Sequence, residues 1–306
     1  MAKIAYMFAG QGAQYPGMGS DLYESSPAAR AVFDMGEKIR PGTLEQCFSG
    51  TTEALNETVN AQPCLFLTDL AAALALDEAT GRRADVCAGF SLGEIAALAY
   101  AGILSCEDAF KLVVRRGEAM HACSQKTPGG MAAVLRLDEE TVRSLCAEFD
   151  GVYPVNFNCP GQIACAGKAE SIDSFCDAVK NAGGRAVKIA VSGPFHTPFM
   201  ADCAAVLKET LNGFTVNAPE ISLYANWTAQ PYPADKAGIT EHIARQCMNS
   251  VQWEKTMRNM NADIYIEVGA GKTLAGLCKK TLTDVQIYNV ADAAALSTVK
   301  EALQNG

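Results

Sequence analysis

Across the first 120 residues, short apolar runs alternate with alanine-rich segments of helical spacing, which leaves few architectures open. Runs at 3–8 and 84–88 read as strands; 22–40, 62–80, 92–101 and 106–122 read as helices. That alternation predicts a parallel sheet flanked by helices. A polar break, "SQKTPGG" at 124–130, interrupts the rhythm. Beyond it the order becomes strand ("MAAVLRL"), helix ("DEETVRSLCAEF"), a hairpin of "VYPVNFN" and "GQIACAG", helix ("SIDSFCDAVKNAG") and strand ("RAVKIAV"). This β-α-β-β-α-β order is the ferredoxin-like pattern. The α/β rhythm resumes at "PFMADCAAVLKETLNGF", and strand signals return at 221–224, "DIYIEVG" and 285–290. The expected organisation is an α/β domain over 1–125 and 194–306 with a small ferredoxin-like domain, 126–193, inserted.

With 306 residues, 49% hydrophobic and 19% charged, the chain can bury a sizeable core. A formal net charge of −9 without any basic run argues against nucleic acid as a partner. No apolar stretch approaches the roughly 20 uninterrupted residues of a membrane span, and "MAKIAYMFAG" reads as a first strand rather than a signal peptide. Twelve cysteines without an export signal predict a reducing, cytoplasmic setting, with Cys87, Cys106, Cys165, Cys176 and Cys278 in apolar contexts. There is no C-x-x-C, and His121, His196 and His242 lie far apart, so no metal site is expected.

Gly89-Phe90-Ser91-Leu92-Gly93 is a G-x-S-x-G between a strand and a helix. A serine in a glycine turn is the plain reading. The strand-turn-helix context instead describes a nucleophile elbow, in which a tight turn lifts Oγ clear of the sheet. The following helix start offers free N–H groups to developing negative charge. Gly10-Gln11-Gly12-Ala13-Gln14 also follows a strand, but Tyr15 replaces the last glycine of a dinucleotide fingerprint. A flexible loop delivering a backbone N–H beside the elbow fits better. "EVGAGKTL", 267–274, lacks the first glycine of a phosphate loop, because Ile266 stands there. It reads as a strand ending in a turn. As a base for Ser91, His196 in "VSGPFHTPFM" lies at a strand-to-helix loop, whereas His121 falls on a helix surface and His242 in a polar stretch. Helical spacing places either Arg115 or Arg116 near an apolar face, where a guanidinium calls for an anion, structural or a substrate's.

Together, "FAGQGAQYPGMG" (8–19), "GFSLGEIAAL" (89–98), "RRGEAM" (115–120), "VNFNCPGQIACAG" (155–167), "GPFHTPFM" (193–200), "RQCMNSVQW" (245–253) and "EVGAGKTL" resemble the malonyl-CoA:acyl-carrier-protein transacylases of fatty-acid synthesis. The resemblance implies an α/β-hydrolase-like core with a ferredoxin-like insert. It implies Ser91 as the acylated nucleophile, His196 as base and later acid, and the N–H groups of Gln11 and Leu92 as oxyanion hole. Arg116 would hold the malonyl carboxylate, and the carbonyl of Gln246 would orient His196 in place of a triad acid. The family usually has histidine where Phe90 stands, and Phe195 is the residue type of malonyl-selective relatives. Malonyl-CoA and acyl carrier protein are the implied partners of a cytoplasmic monomer needing no cofactor. Lys279, Lys280, Arg185 and Lys188 are the expected basic docking patch for the acidic carrier. A polyketide acyltransferase, or a serine thioesterase or esterase on the same elbow, are the alternatives, the former weighed down by the ordinary start and end of the chain.

Overall fold

The computed structural model describes residues 2–191 and 193–305. In chain order it begins with β1 (Ile4–Phe8), α1 (Ser20–Ser25), α2 (Pro27–Ile39), α3 (Thr43–Ser49), α4 (Thr52–Asn56), α5 (Thr58–Thr80), β2 (Val86–Gly89), α6 (Gly93–Tyr100) and α7 (Cys106–Lys126). Next come β3 (Gly129–Leu135), α8 (Glu139–Ala147), β4 (Val152–Cys159), β5 (Gln162–Lys168), α9 (Ala169–Asn181) and β6 (Arg185–Ile189). The chain closes with α10 (Ala201–Leu211), β7 (Ser222–Tyr224), α11 (Lys236–Arg245), α12 (Trp253–Met260), β8 (Ile264–Val268), α13 (Thr273–Thr281), β9 (Gln286–Val290) and α14 (Ala293–Asn305).

Five strands form a parallel sheet in the order β7-β2-β1-β8-β9. Strand order reverses at β1, so the loops leaving β1, β2 and β8 converge at one edge, where open α/β sheets bind ligands. Every residue of β1, β2 and β8 is buried, as expected of strands covered on both faces. The second sheet is antiparallel, β4-β5-β3-β6, the ferredoxin-like order. Its alternation divides its side chains cleanly. Val134, Phe157, Ile163 and Cys165 pack with α8 and α9 residues, whereas Met131, Asn156, Asn158, Gln162, Ala164 and Ile189 line a cleft against the large sheet. Phe157 N–H to Val251 C=O (2.9 Å) and Val251 N–H to Val155 C=O (2.7 Å) tie the two parts together.

Several local expectations change. The single helix expected over 22–40 is two, because Ser26 is extended, caps α2 through Ala29 N–H and precedes Pro27 at the first helical turn. Helices α3 and α4 occupy a stretch for which the sequence suggested no element. The polar break at 124–130 shrinks to Thr127 and Pro128 between α7 and β3. Helix α5 is long and apolar enough by length and composition to cross a membrane. Here it is a core helix packed by α2, α6 and α7, buried around its whole circumference.

Candidate active site

The corner between β2 and α6 is tight because its glycines admit nothing larger. A Cβ on Gly89 would lie 2.0 Å from the Gly93 carbonyl carbon, and one on Gly93 would lie 2.3 Å from the Phe8 carbonyl oxygen. Ser91 takes φ 54, a left-handed conformation that costs a non-glycine residue about 1–3 kcal/mol. His196, also at positive φ (62), arrives from the loop before the short helical turn Pro198–Met200, which Thr197 caps. The two side chains meet with Ser91 Oγ 2.7 Å from His196 Nε2.

His196 is held from behind by backbone oxygens. Its Nδ1 lies 3.0 Å from the Asn249 carbonyl and 3.2 Å from the Gln246 carbonyl, and its own N–H donates to Cys247 C=O. Two acceptors facing Nδ1 fix the proton there and leave Nε2 to accept from Ser91. The expected Gln246 carbonyl is therefore joined by that of Asn249, which is nearer and carried no sequence signal. Burial, and then the charge of Arg116, push the imidazole down to about 4, against the opposing pull of the two carbonyls. It is neutral at pH 7.

Arg116 and Arg115 separate sharply. Arg115 pairs with Glu118 at the surface, whereas Arg116 lies on the buried stripe of α7 with Val113, Gly117 and Met120. Its guanidinium donates to Gln62 Oε1 (2.8 Å), Gln246 Oε1 (2.9 Å) and Ser91 Oγ (3.3 Å). Its Nε has no partner, and among the described residues no carboxylate lies within ion-pair distance. A structural ion pair is thus not what the burial serves. A fully buried guanidinium met only by neutral acceptors is a ready anion site.

The N–H groups of Gln11 and Leu92 have no acceptor among the described residues. Gln11 lines the cleft on a loop pressed against the elbow, since a Cβ on Gly10 would lie 2.7 Å from the Phe90 carbonyl oxygen. Leu92 precedes the first turn of α6, whose dipole points its positive end at the same place. Ser91's own N–H is not free. It donates to Asn226 Oδ1 at 2.7 Å. Asn226 and Gln62 escaped the sequence reading; the only hint was a lone polar side chain after a strand or within an apolar helix.

Of the nearby acids, Asp202 pairs with Lys126 and Glu241 with Lys208 and Arg245 at the surface. Glu94 is fully buried but bonds Asn226 N–H and the Tyr232 hydroxyl, not His196. His121 contacts Gln125, and His242 packs between Trp227 and Tyr232, both away from Ser91. Among the described residues no three His, Cys, Asp or Glu side chains are grouped so as to hold a metal ion.

The cleft over Ser91 encloses about 220 Å³, with Phe90, Phe195, Met120, Leu274 and Leu277 as apolar wall. Phe90 packs edge-on against Trp253, with centroids 5.4 Å apart. The Oδ1 atoms of Asn156 and Asn158, both buried on this wall, have no hydrogen-bond partner among the described residues. The four docking candidates do not form one patch. Lys279 and Lys280 are exposed on the last turn of α13, and Arg185 is exposed on the cleft-facing side of β6 with Val187 and Ile189. Lys188 lies on the opposite side, paired with Asp173 of α9.

The acyl transferase domain model matches residues 5–305. The chain is 36% identical to the malonyl CoA-acyl carrier protein transacylase of Bacillus subtilis (strain 168), with 100% of both chains covered. A crystal structure of malonyl CoA-acyl carrier protein transacylase from Clostridium perfringens superposes with a TM-score of 0.94 at 33% identity, covering 99% of this chain and 98% of that one. A malonyl-transacylase solved in complex with its type II polyketide acyl-carrier protein gives 0.93 at 31% identity, covering 98% and 100%.

Proposed function

We propose that this chain, which belongs to the acyl transferase domain family, transfers malonyl from malonyl-CoA to the phosphopantetheine thiol of acyl carrier protein, supplying fatty-acid biosynthesis. The observation that carries the reading is Arg116, a buried cation with no carboxylate in ion-pair contact among the described residues, 3.3 Å from the hydroxyl of a serine bonded to a histidine. An acyl chain ending in a carboxylate supplies what that cation lacks.

In the proposed reaction His196 Nε2 takes the Ser91 proton as Oγ attacks the thioester carbon. Negative charge grows on the carbonyl oxygen, toward the N–H groups of Gln11 and Leu92. The C–S bond then breaks, and His196 returns the proton to the departing thiolate of coenzyme A. Malonyl-Ser91 remains, its carboxylate on Arg116. The carrier's thiol gives its proton to His196, attacks the ester carbon, and Ser91 recovers a proton as it leaves. The same arm carries the acyl group in and out, and the free carbonyls of Asn156 and Asn158 suit its amide N–H groups. Acyl exchange between thioesters needs only a nucleophile and a base, so no cofactor or metal enters this scheme. We place the enzyme in the cytoplasm as a monomer, in keeping with cysteines that are all unpaired among the described residues.

Brief exposure to malonyl-CoA should add one malonyl unit to the intact mass, absent in Ser91→Ala, and carrier protein should discharge it. Rapid discharge by water alone would favour a thioesterase. The likeness to a polyketide malonyl-transacylase makes polyketide carriers a second substrate set to assay beside the fatty-acid carrier.

A further inference from the structure

The strained corner at Ser91 is gripped from both sides, by Gln246, which also meets Arg116, and by Asn226, which has no part in the chemistry above. Ser91 N–H donates to Asn226 Oδ1 at 2.7 Å, and Ser91 C=O accepts from Gln246 Nε2. Asn226 Nδ2 donates to Gly89 C=O, two residues earlier. One amide therefore spans the corner, holding the end of β2 with its donor and Ser91 with its acceptor. Asn226 is itself fully buried and fixed by its backbone. Its N–H donates to Glu94 Oε2 at 2.7 Å, and its C=O accepts from Gln252 N–H at 2.7 Å. The other carboxylate oxygen of Glu94 accepts from the Tyr232 hydroxyl. Glu94 lies in the first turn of α6, so the network runs from the elbow to the segment after β7 and back to the helix that the elbow begins.

We infer that Asn226 is a positioning residue for the acyl-transfer reaction, with Glu94 and Tyr232 as its anchor. The inference rests on Ser91 being the acylated residue. A left-handed Ser91 costs about 1–3 kcal/mol and persists only where its surroundings over-determine it. Two hydrogen bonds on its peptide groups and a third on Gly89 supply that constraint. Asn226 also occupies Ser91 N–H, which leaves the unpartnered N–H of Leu92 as the elbow's donor to the oxyanion. Relaxing the corner moves Oγ relative to His196 Nε2 and Arg116 without removing any group that binds the substrate. The signature is a fall in the acylation rate constant with little change in KM.

Glu94 must accept from Asn226 N–H, but its second oxygen faces a hydroxyl that can reverse its role. In Glu94→Gln the side-chain carbonyl can still accept from Asn226, while the NH₂ donates to a reoriented Tyr232 hydroxyl. In Glu94→Ala the Asn226 N–H is left buried and unpaired. A role in positioning therefore predicts rescue by the amide, which a need for negative charge at residue 94 does not.

The test is single-turnover acylation by malonyl-CoA, together with modification of Ser91 by a fluorophosphonate, which reads serine reactivity without any malonyl contact. Asn226→Ala should acylate about 10²-fold more slowly with KM within about twofold, and its phosphonylation should slow in parallel. Glu94→Ala should follow in direction, and Glu94→Gln should stay within about threefold of the unmodified enzyme. If Asn226→Ala does not fold, Tyr232→Phe decides, with a several-fold slower acylation at constant KM expected. Folded variants that acylate within twofold of the parent, or lose KM and rate together, overturn the assignment. Absence of malonylation in the unaltered protein would instead overturn the function on which it rests.

Discussion

Replacing Arg116 with alanine separates a substrate clamp from a structural residue, and the structure sets the scale. The guanidinium is fully buried, and its acceptors Gln62, Gln246 and Ser91 are neutral. A bound malonyl carboxylate would be its one close opposite charge, and removing one member of such a pair costs about 3–5 kcal/mol. At about 1.4 kcal/mol per tenfold, malonyl transfer should fall by roughly 10²- to 10³-fold or somewhat more. Arg116→Lys should also be costly, because an ammonium cannot present two parallel N–H donors to one carboxylate. Acetyl transfer should hold or rise. Arg116 helps to hold the His196 imidazole down near 4, so its loss returns basicity to the group that takes the serine proton. The acid limb of the acetyl-transfer profile should accordingly move to higher pH in the variant. The melting midpoint should change little, since the free enzyme sheds a desolvated charge while two amide oxygens lose a donor. The assay is carrier acylation from malonyl-CoA and acetyl-CoA across pH 4–8, with thermal melts alongside. Parallel loss of both transfers with earlier melting would refute the clamp.

Three further outcomes follow from the same geometry. Charge reversal at Lys279 and Lys280 should weaken use of the carrier protein while sparing acylation by malonyl-CoA, and Lys188 reversal should leave both unchanged, because Lys188 faces α9; equal loss in both half-reactions on reversing Lys279 and Lys280 would place docking elsewhere. Asp202→Asn and Glu241→Gln should cost far less than His196→Ala, and a drop near the roughly 10⁴-fold of a lost triad aspartate at either one would mean that an acid, not a pair of carbonyls, orients the imidazole. Burial raises the folded-state Glu94 carboxyl from its ordinary 4.5 to about 7, so its contribution is present below 4.5 and is lost as pH rises through 7; Glu94→Gln should gain stability relative to the parent over that window in denaturant titrations, and a constant difference would show that Glu94 does not titrate there.

What could be read from the sequence was what local pattern encodes. The G-x-S-x-G between a strand and a helix is a contiguous signal, and its glycines are required by contacts within the corner and with the neighbouring strand end. The β-α-β-β-α-β order of apolar runs and helical segments after residue 130 carried the small sheet in the same way. Positions whose role depends on what faces them across the fold were not legible. Gln62 and Asn226 are single polar residues in apolar surroundings, a pattern shared by any satisfied core amide. Asn249 acts through a backbone oxygen, which no side-chain pattern reports. Periodicity put one of Arg115 and Arg116 on the apolar stripe, but choosing between neighbours 100° apart requires the phase of α7 against α5 and α10.

Lys188 shows the opposite case, a placement that the local period already determines. In a strand, residues an odd number apart face opposite sides. Arg185 and Lys188 are three apart in β6, so they cannot both face the carrier protein on one surface. Ile189 lines the cleft, which assigns Arg185 and Val187 to that side and leaves Lys188 to Asp173. Charge composition suggested four docking cations, and strand parity removes one before any partner is considered. The cleft-facing side then offers one cation and two partly exposed apolar residues, Val187 and Ile189, along an edge strand. A carrier docking on this side would meet apolar contact and charge together, and the exposed Lys279 and Lys280 stand on α13, whose first turns line the same cleft.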